Sequence, residues 1–154
     1  MRLPFCLAAL IVGCALVASV TGCSTRNLDS EERSRLDSLD AAGVVRAYFE
    51  SGDPAVEVYL STPHEVSQRE ASNYVPDSER AGGIDNLVIS GGGPGDREIV
   101  GAEGYGDIRL FIVEYDSRKR SNIGEPPGGR FFFVYTGTEP TSGRVKVLGV
   151  GTGP

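Results

Sequence analysis

The first half of the chain carries apolar residues at helical spacing. Between residues 38 and 51 they recur every three or four positions, which is typical of one buried face of an α-helix. These residues are Ala41, Val44, Val45, Tyr48 and Phe49. Asp37 is placed to cap this helix and Gly52 to end it. Asp53-Pro54 and Thr62-Pro63 each place a capping side chain before a proline, so two shorter helices are predicted next, the second ending near residue 72.

After Pro76 the pattern changes to runs of β-branched and aromatic residues, separated by clusters of Gly, Pro, Asn and Asp. Four strands are predicted, at residues 84–90, 107–115, 130–136 and 145–151. Between them, residues 91–95 are predicted to form a loop and residues 139–143 a hairpin turn. Helices followed by strands indicate an α+β fold, in which N-terminal helices pack on a four-stranded antiparallel sheet.

The two middle strands are apolar at both odd and even positions, as in Ile108 to Tyr115 and Arg130 to Tyr135. A sheet with one face on helices and the other in water alternates apolar with polar residues, so the second face of this sheet needs a cover. Candidates are the N-terminal segment, a second subunit, a partner protein or a ligand. The simplest expectation is that the chain covers this face itself.

The N-terminus has the parts of a secretory signal: Arg2, an apolar run from Leu3 to Val20, and small residues before a possible cleavage site. Its ending, Val20-Thr21-Gly22-Cys23, resembles the lipobox of bacterial lipoproteins. That resemblance implies cleavage after residue 22 and a lipid on Cys23, which would anchor the protein on the extracytoplasmic face of the cell membrane. Two alternatives remain open: an uncleaved anchor, since about eighteen apolar residues just span a bilayer, and a secreted protein cut near Ala18.

Residues 24–35 are polar apart from Leu28, and they are predicted to form a flexible tether between Cys23 and the folded domain at 36–154. The alternative is that this segment extends the first helix. Cys6 and Cys14 lie within the signal, so the mature chain has neither a cysteine pair for a disulfide nor a cysteine-based zinc site. We expect no cofactor.

Charge and histidine content exclude further classes of function. Among the 154 residues the formal net charge is −6, which argues against nucleic acid as a partner. His64 is the only histidine, so a histidine-rich metal site is excluded, and its polar neighbours predict a solvated surface position. The tip Arg118-Lys119-Arg120 is predicted to be solvated, or alternatively to contact an anionic lipid, a cell-wall polymer or an acidic partner.

The helix with Val44-Val45 and Tyr48-Phe49, the shorter helices after it, and the strands ending in Gly151-Thr152-Gly153-Pro154 together resemble bacterial lipoproteins with a cystatin-like domain. This is the cone-shaped fold named after nuclear transport factor 2, and the resemblance covers residues 36–154. It implies a curved antiparallel sheet around the first helix, with a possible pocket at the open end. It implies no reaction, because the fold hosts enzymes, binding proteins and association modules.

Three functions follow as hypotheses. The first is a non-enzymatic lipoprotein whose domain binds a partner, either an envelope protein or a second copy of the chain. The second is a small-molecule carrier with a pocket between the sheet and the first helix, lined by Tyr48, Phe111, Val113, Phe131 and Phe133.

The third is an isomerase-like or hydrolytic enzyme. Residues of suitable chemistry for this function are Asp107, Glu114, Tyr48 and Tyr115. A dimer interface that covers the apolar sheet face would favour the first function. A deep apolar pocket with convergent polar groups would favour the second, and a carboxylate of raised pKa inside that pocket the third.

Overall fold

A computed structural model describes residues 26–72, 83–99, 101–120 and 126–152. Within these ranges the helices are α1 (Ser30–Asp37), α2 (Ala41–Glu50), α3 (Pro54–Leu60) and α4 (Pro63–Ser72). The strands are β1 (Ile84–Pro94), β2 (Gly106–Ser117), β3 (Gly128–Thr138) and β4 (Val145–Gly151). The predicted signal sequence, Cys23 and Pro76 lie outside the described residues.

The long apolar stripe forms α2, as its spacing predicts, but the helix begins later than expected. Its capping residue is Asp40, whose side chain accepts a hydrogen bond from the Gly43 backbone N–H at 2.7 Å. Asp37, the predicted cap, is instead the last residue of α1 and accepts a hydrogen bond from the Tyr59 hydroxyl. The predicted end is confirmed: Gly52 has a φ of +56°, a left-handed conformation that glycine adopts at low cost.

The two shorter helices begin at the predicted positions. The Asp53 side chain accepts a hydrogen bond from the Ala55 backbone N–H at 2.9 Å, and Pro54 opens α3. The Thr62 hydroxyl accepts one from the Glu65 backbone N–H at 3.2 Å at the start of α4. In both cases the side chain satisfies a backbone donor that the first helical turn leaves unpaired.

The strands form one sheet in the order β1-β2-β3-β4, and all three neighbouring pairs are antiparallel. Helix α2 packs across the sheet, so the predicted α+β fold with helices on a four-stranded antiparallel sheet is confirmed. The main hydrophobic core lies between the two layers. From α2 it takes Val44, Val45, Tyr48 and Phe49, and from the middle strands Phe111, Val113, Tyr115, Phe132 and Val134.

The predicted loop at residues 91–95 is largely strand, because β1 continues to Pro94. Gly91 and Gly92 have φ values of +88° and +85°, and the register with β2 shifts between Gly91 and Gly93. A Cβ on Gly92 would lie 2.9 Å from the Phe111 ring, so this position requires glycine for space as well as conformation. The glycines therefore form a bulge within the strand.

The predicted tether is corrected from Arg26 onward. Residues 30–37 form α1, which Asp29 caps by accepting a hydrogen bond from the Glu32 backbone N–H at 2.8 Å. Leu28 is buried in the main core. The polar composition of this segment suggested that it is solvated. One buried leucine and one capping aspartate are nevertheless enough to fix it to the domain. The alternative prediction, a helical extension, agrees better with the structure, although α1 and α2 are separate helices.

None of the helices formed by the described residues is long and apolar enough to cross a membrane.

Candidate interaction surface

The register of the strands assigns every side chain in the sheet to one of its two faces. Val88 of β1 and Phe131 of β3 lie opposite Glu114 of β2 on either side. In the next row, Phe133 lies opposite Ile112. Directly paired residues point to the same side of a sheet, so these five share the face away from the helices. We call this set, Val88, Ile112, Glu114, Phe131 and Phe133, the outer sheet face.

A loop covers one end of the sheet next to this surface. Between β1 and β2 the chain returns across the sheet and buries Ala102 in a second small core with Ile108 and Leu148. Gly137 lies beneath this core, where a Cβ would come within 3.0 Å of Leu148, Ile108 and Tyr105. The absence of a side chain there allows the loop to approach closely.

The outer sheet face itself remains open to solvent. Val88 is 51% exposed and Phe131 is 41% exposed, while Ile112 and Phe133 are half-buried. The rings of Phe131 and Phe133 pack edge to face with centroids 5.0 Å apart. The expectation that the chain covers its second face is therefore correct at one end only, as far as the described residues go. Aromatic side chains grouped in this way on a surface are typical of a binding site.

The carboxylate of Glu114 lies within this apolar surface. Glu114 is exposed between Val88 and Phe131, and its side chain forms no hydrogen bond or ion pair with any residue that the structure describes. It also lines a groove of about 400 Å³ at one end of the face, together with Asp116 and Arg130. Asn86 donates a hydrogen bond to Asp116 at 2.8 Å. The groove therefore offers two neighbouring carboxylates and the guanidinium of Arg130 beside an aromatic ring.

The edges of the sheet are less accessible than this face. Strand β1 is interrupted by two register shifts and ends in Pro94, features that oppose the addition of another strand. On the other edge, the Thr62 backbone N–H donates to the Val147 carbonyl at 3.0 Å. Lys146 also donates to the Tyr59 carbonyl there, and burial lowers the pKa of Lys146 below its ordinary value. The face, and not an edge, is the available surface.

The structure does not bring the five predicted pocket residues together. Tyr48, Phe111 and Val113 are buried between α2 and the sheet, where their side chains pack into the core. Phe131 and Phe133 lie on the opposite side of the sheet. These five residues therefore cannot line one pocket.

The residues considered for catalysis are also separated. Glu114 is on the outer sheet face, whereas Tyr115 is buried against Phe132 on the helix side. Asp107 is exposed and pairs with Arg109 at 3.0 Å. Tyr48 donates toward Glu65 at 3.5 Å. The two tyrosines belong to the main core whereas the two carboxylates are exposed, so the four residues do not form one reaction centre.

His64 and the basic tip have partners that the sequence did not reveal. The histidine is half-buried, and a Cβ on Gly101 would lie 2.6 Å from its ring, so it packs against the loop between β1 and β2 instead of projecting into solvent. Arg118 pairs with Asp85, and this ion pair holds the pKa of Asp85 below its ordinary value. The predicted basic tip is thus partly neutralised.

Sequence reasoning missed a buried group of charges beside α2. Glu57 and Glu65 are almost fully buried, and Arg69 donates to Glu57 at 2.9 Å and lies 3.8 Å from Glu65. The guanidinium also stacks over the Tyr48 ring, 5.5 Å from its centroid. This arrangement joins α3 and α4 to α2. The only local sequence signal for this buried group of charges was the four-residue spacing of Glu65 and Arg69.

No three metal-ligating side chains converge among the residues that the structure describes. Comparisons with protein-family models, curated proteins and solved structures find nothing that matches this chain. The outer sheet face and the sequence of the N-terminus are therefore the two features of this chain that bear on its function.

Proposed function

We propose that this protein is a cell-envelope lipoprotein, anchored by a lipid on Cys23, whose domain is a non-enzymatic binding module. Its partner binds on the outer sheet face. The observation that carries this proposal is the pair of the exposed Phe131 and the half-buried Phe133 beside the Glu114 carboxylate, which has no partner among the residues that the structure describes. Large aromatic side chains that a fold does not bury itself supply much of the binding energy in protein interfaces.

The chemistry of the surface favours one kind of partner. Phe131 still has 41% of its surface in water, so a partner that covers it removes that remaining apolar area from water. Covering the same surface also removes Glu114 from water, which is costly unless a cation takes the place of the water. The partner is therefore a protein segment that presents an arginine or lysine among apolar side chains.

A second copy of this chain fits the surface less well. A two-fold symmetric dimer buries the same patch of both copies, so that residue i of one copy contacts residue j of the other and the reverse. Such an interface would enclose four carboxylates, those of Glu114 and Asp116 from each copy, on a protein whose formal net charge is already −6. Like charges brought together in an interface are destabilising. The charge pattern thus favours a different, basic partner.

Photo-crosslinking in intact cells tests this proposal. A photoreactive phenylalanine analogue replaces Phe133, and a matched probe replaces Arg97, which is exposed on the loop between β1 and β2. We expect one adduct of defined mass from position 133, in which the crosslinked peptide contains a basic residue. Glu114→Lys should abolish it and Glu114→Gln should weaken it, because the first change reverses the charge and the second only removes it.

The same experiment distinguishes the alternatives. An adduct of twice the mass of the chain would identify a second copy and contradict the basic-partner assignment. Equal crosslinking from positions 133 and 97, or none from position 133, would contradict the binding function of the outer sheet face.

The anchor is tested separately with Cys23→Ala. Without the thiol there is no acceptor for the lipid, so the variant should be released from the membrane or remain unprocessed. Metabolic labelling with a radioactive fatty acid and membrane fractionation report the two effects. Ser24→Ala is the matched control, since it alters the neighbouring residue and keeps the thiol. Unchanged labelling and attachment of Cys23→Ala would contradict lipidation.

A further inference from the structure

The folded domain begins very close to the proposed anchor. Arg26 donates to Asp53 at 2.6 Å and to both oxygens of Glu32 at 2.8 and 2.9 Å. These hydrogen bonds raise the pKa of Arg26 above its ordinary value. Two residues further on, Leu28 is only 7% exposed. The chain is thus fixed to α1 and α3 from Arg26 onward.

Only Ser24 and Thr25 separate Cys23 from this attachment point. Three consecutive residues span at most about 11 Å even when fully extended. A lipid on Cys23 lies in the bilayer, so the Arg26 end of the domain cannot be further from the headgroups than this short connection allows. The tether predicted from the sequence would have allowed several times that distance.

We propose that the domain rests directly on the bilayer through the surface around Arg26, Arg33 and Val58, with the outer sheet face directed away from the lipid. We call this surface the N-terminal corner. The inference rests on the proposed lipid anchor and adds to it the lipid surface as a second contact, together with a fixed orientation.

The side chains of the N-terminal corner suit a headgroup layer. They surround a cleft of about 160 Å³ that Arg26, Leu28, Arg33, Val58 and Tyr59 help to line. Val58, an apolar residue that lines the cleft, is 45% exposed. The Arg33 side chain is exposed and forms no ion pair with any described residue, which leaves it available for a lipid phosphate.

The charges around the cleft are mixed, because Glu32 and Asp53 offset Arg26. The contact therefore does not require anionic lipid, and the short connection to Cys23 is what enforces it. The sheet lies between this surface and the outer sheet face, since Leu28 packs in the core on the helix side. Binding of the partner and contact with the lipid thus use opposite sides of the domain.

Fluorescence quenching by spin-labelled headgroups tests this orientation. The full chain is produced in a bacterium that processes lipoproteins, as the variants Val58→Cys and Val88→Cys. After processing, the introduced thiol is the one free cysteine, because Cys6 and Cys14 leave with the signal and Cys23 carries the lipid. Each variant is labelled with the same fluorophore and reconstituted into phosphatidylcholine vesicles, with and without phosphatidylglycerol.

We expect headgroup quenching to be several-fold stronger at position 58 than at position 88, in both kinds of vesicle. The two sites are matched controls, since both are exposed valines with similar exposure. Equal quenching at the two positions in a chain that floats with the vesicles would overturn the proposed orientation and leave the anchor intact. A chain that does not float with the vesicles would overturn the anchor, and with it this inference.

Two further variants identify the cause of the orientation. A ten-residue Gly-Ser insertion after Thr25 should remove most of the difference between the two positions, because the domain then moves away from the bilayer. A difference that survives the insertion would contradict the role of the short connection. Arg33→Glu should lower quenching at position 58, whereas Arg97→Glu, at an exposed arginine in the loop after β1, should not. Equal effects of the two substitutions would contradict the contact between Arg33 and the lipid.

Discussion

The two faces of the sheet carry similar apolar residues but meet different surroundings. On the helix side, Phe132 is buried and stacks on Tyr115 with ring centroids 5.8 Å apart. On the other side, its chain neighbours Phe131 and Phe133 pack against each other and remain partly in water. Three consecutive phenylalanines thus divide between a core and a surface, because successive side chains of a strand point in opposite directions.

The position of charge differs between the two sides in the same way. Near the helices the buried carboxylates of Glu57 and Glu65 lie beside the guanidinium of Arg69. On the outer sheet face, Glu114 has no such partner among the described residues. A charge that is compensated inside the protein supports the fold, while an uncompensated charge among apolar side chains is available to another molecule. This difference is the physical basis for assigning stability to one face and binding to the other.

The largest expected effect on the free energy of unfolding comes from replacing a phenylalanine on each face by alanine. Phe132→Ala should lower the free energy of unfolding by about 3–5 kcal/mol, because it leaves a cavity in the core. Phe131→Ala, one residue away, should lower it by only about 1 kcal/mol, since 41% of that residue is already in water and no core cavity is left. Urea unfolding of both variants, followed by circular dichroism, measures the difference. Equal losses would contradict the division into core and surface.

A slightly smaller effect is expected for the buried ion pair. Arg69→Met removes the guanidinium from two buried carboxylates and should cost about 3 kcal/mol of unfolding free energy, the lower end of the range for such pairs because Arg69 is partly exposed. The control is Arg46→Met, which removes an exposed helical pair with Glu50 and should cost about 0.5 kcal/mol or less. The same unfolding measurement applies. A loss at Arg69 no greater than that at Arg46 would show that the buried group is not structural.

Leu28 provides the next prediction, on the edge of the helix-side core. Leu28→Ala should lower the free energy of unfolding by about 2 kcal/mol, because the leucine is buried against the main core. Asn27→Ala, at the exposed neighbouring residue, should change it by no more than about 0.5 kcal/mol. Hydrogen exchange should also become faster in α1 of the leucine variant. If α1 exchanges at the same rate in both variants, its attachment to the core does not depend on Leu28.

The smallest effect concerns acid stability at the turn between β3 and β4, outside both faces. Hydrogen bonds from Ser142 and Arg144 hold the pKa of Glu139 below its ordinary value of 4.5. The unfolded chain therefore binds this proton more tightly, so the stabilisation is present above about pH 4.5 and is lost as the pH falls through the lowered pKa. Glu139→Gln should flatten this part of the acid unfolding curve. An unchanged slope would contradict the contribution of the turn.

The sequence predicted the fold better than the site. Helical spacing identified α2, and capping signals identified α3 and α4, because these depend on residues close together in the chain. The prediction of a pocket between the sheet and the first helix was wrong for a specific reason. Phe111 and Val113 share a face, and so do Phe131 and Phe133, but which faces coincide depends on the register between β2 and β3. The long connection between those strands gives no turn signal that fixes this register.

Two other features depended on distant contacts. Glu57 and Arg69 pair across twelve residues and two helices, a separation for which the sequence has no periodic signal. The attachment of Arg26 to Asp53 spans twenty-seven residues, so the composition of residues 24–35 indicated only that the segment is polar. Local patterns therefore identified the elements, while the buried charges and the fixed N-terminus became visible only in three dimensions.

Thiol accessibility in cells tests most directly whether the outer sheet face is a binding surface. Phe133→Cys and Arg97→Cys each place one reactive thiol on the chain that the proposed processing leaves, the first on the outer sheet face and the second on the exposed loop. A membrane-impermeant maleimide should label position 97 equally fast in cells with a permeabilised envelope and in purified protein. Position 133 should react much more slowly in the cells than in purified protein, because the proposed partner would cover it. The same ratio at both positions would contradict the outer sheet face as a binding surface.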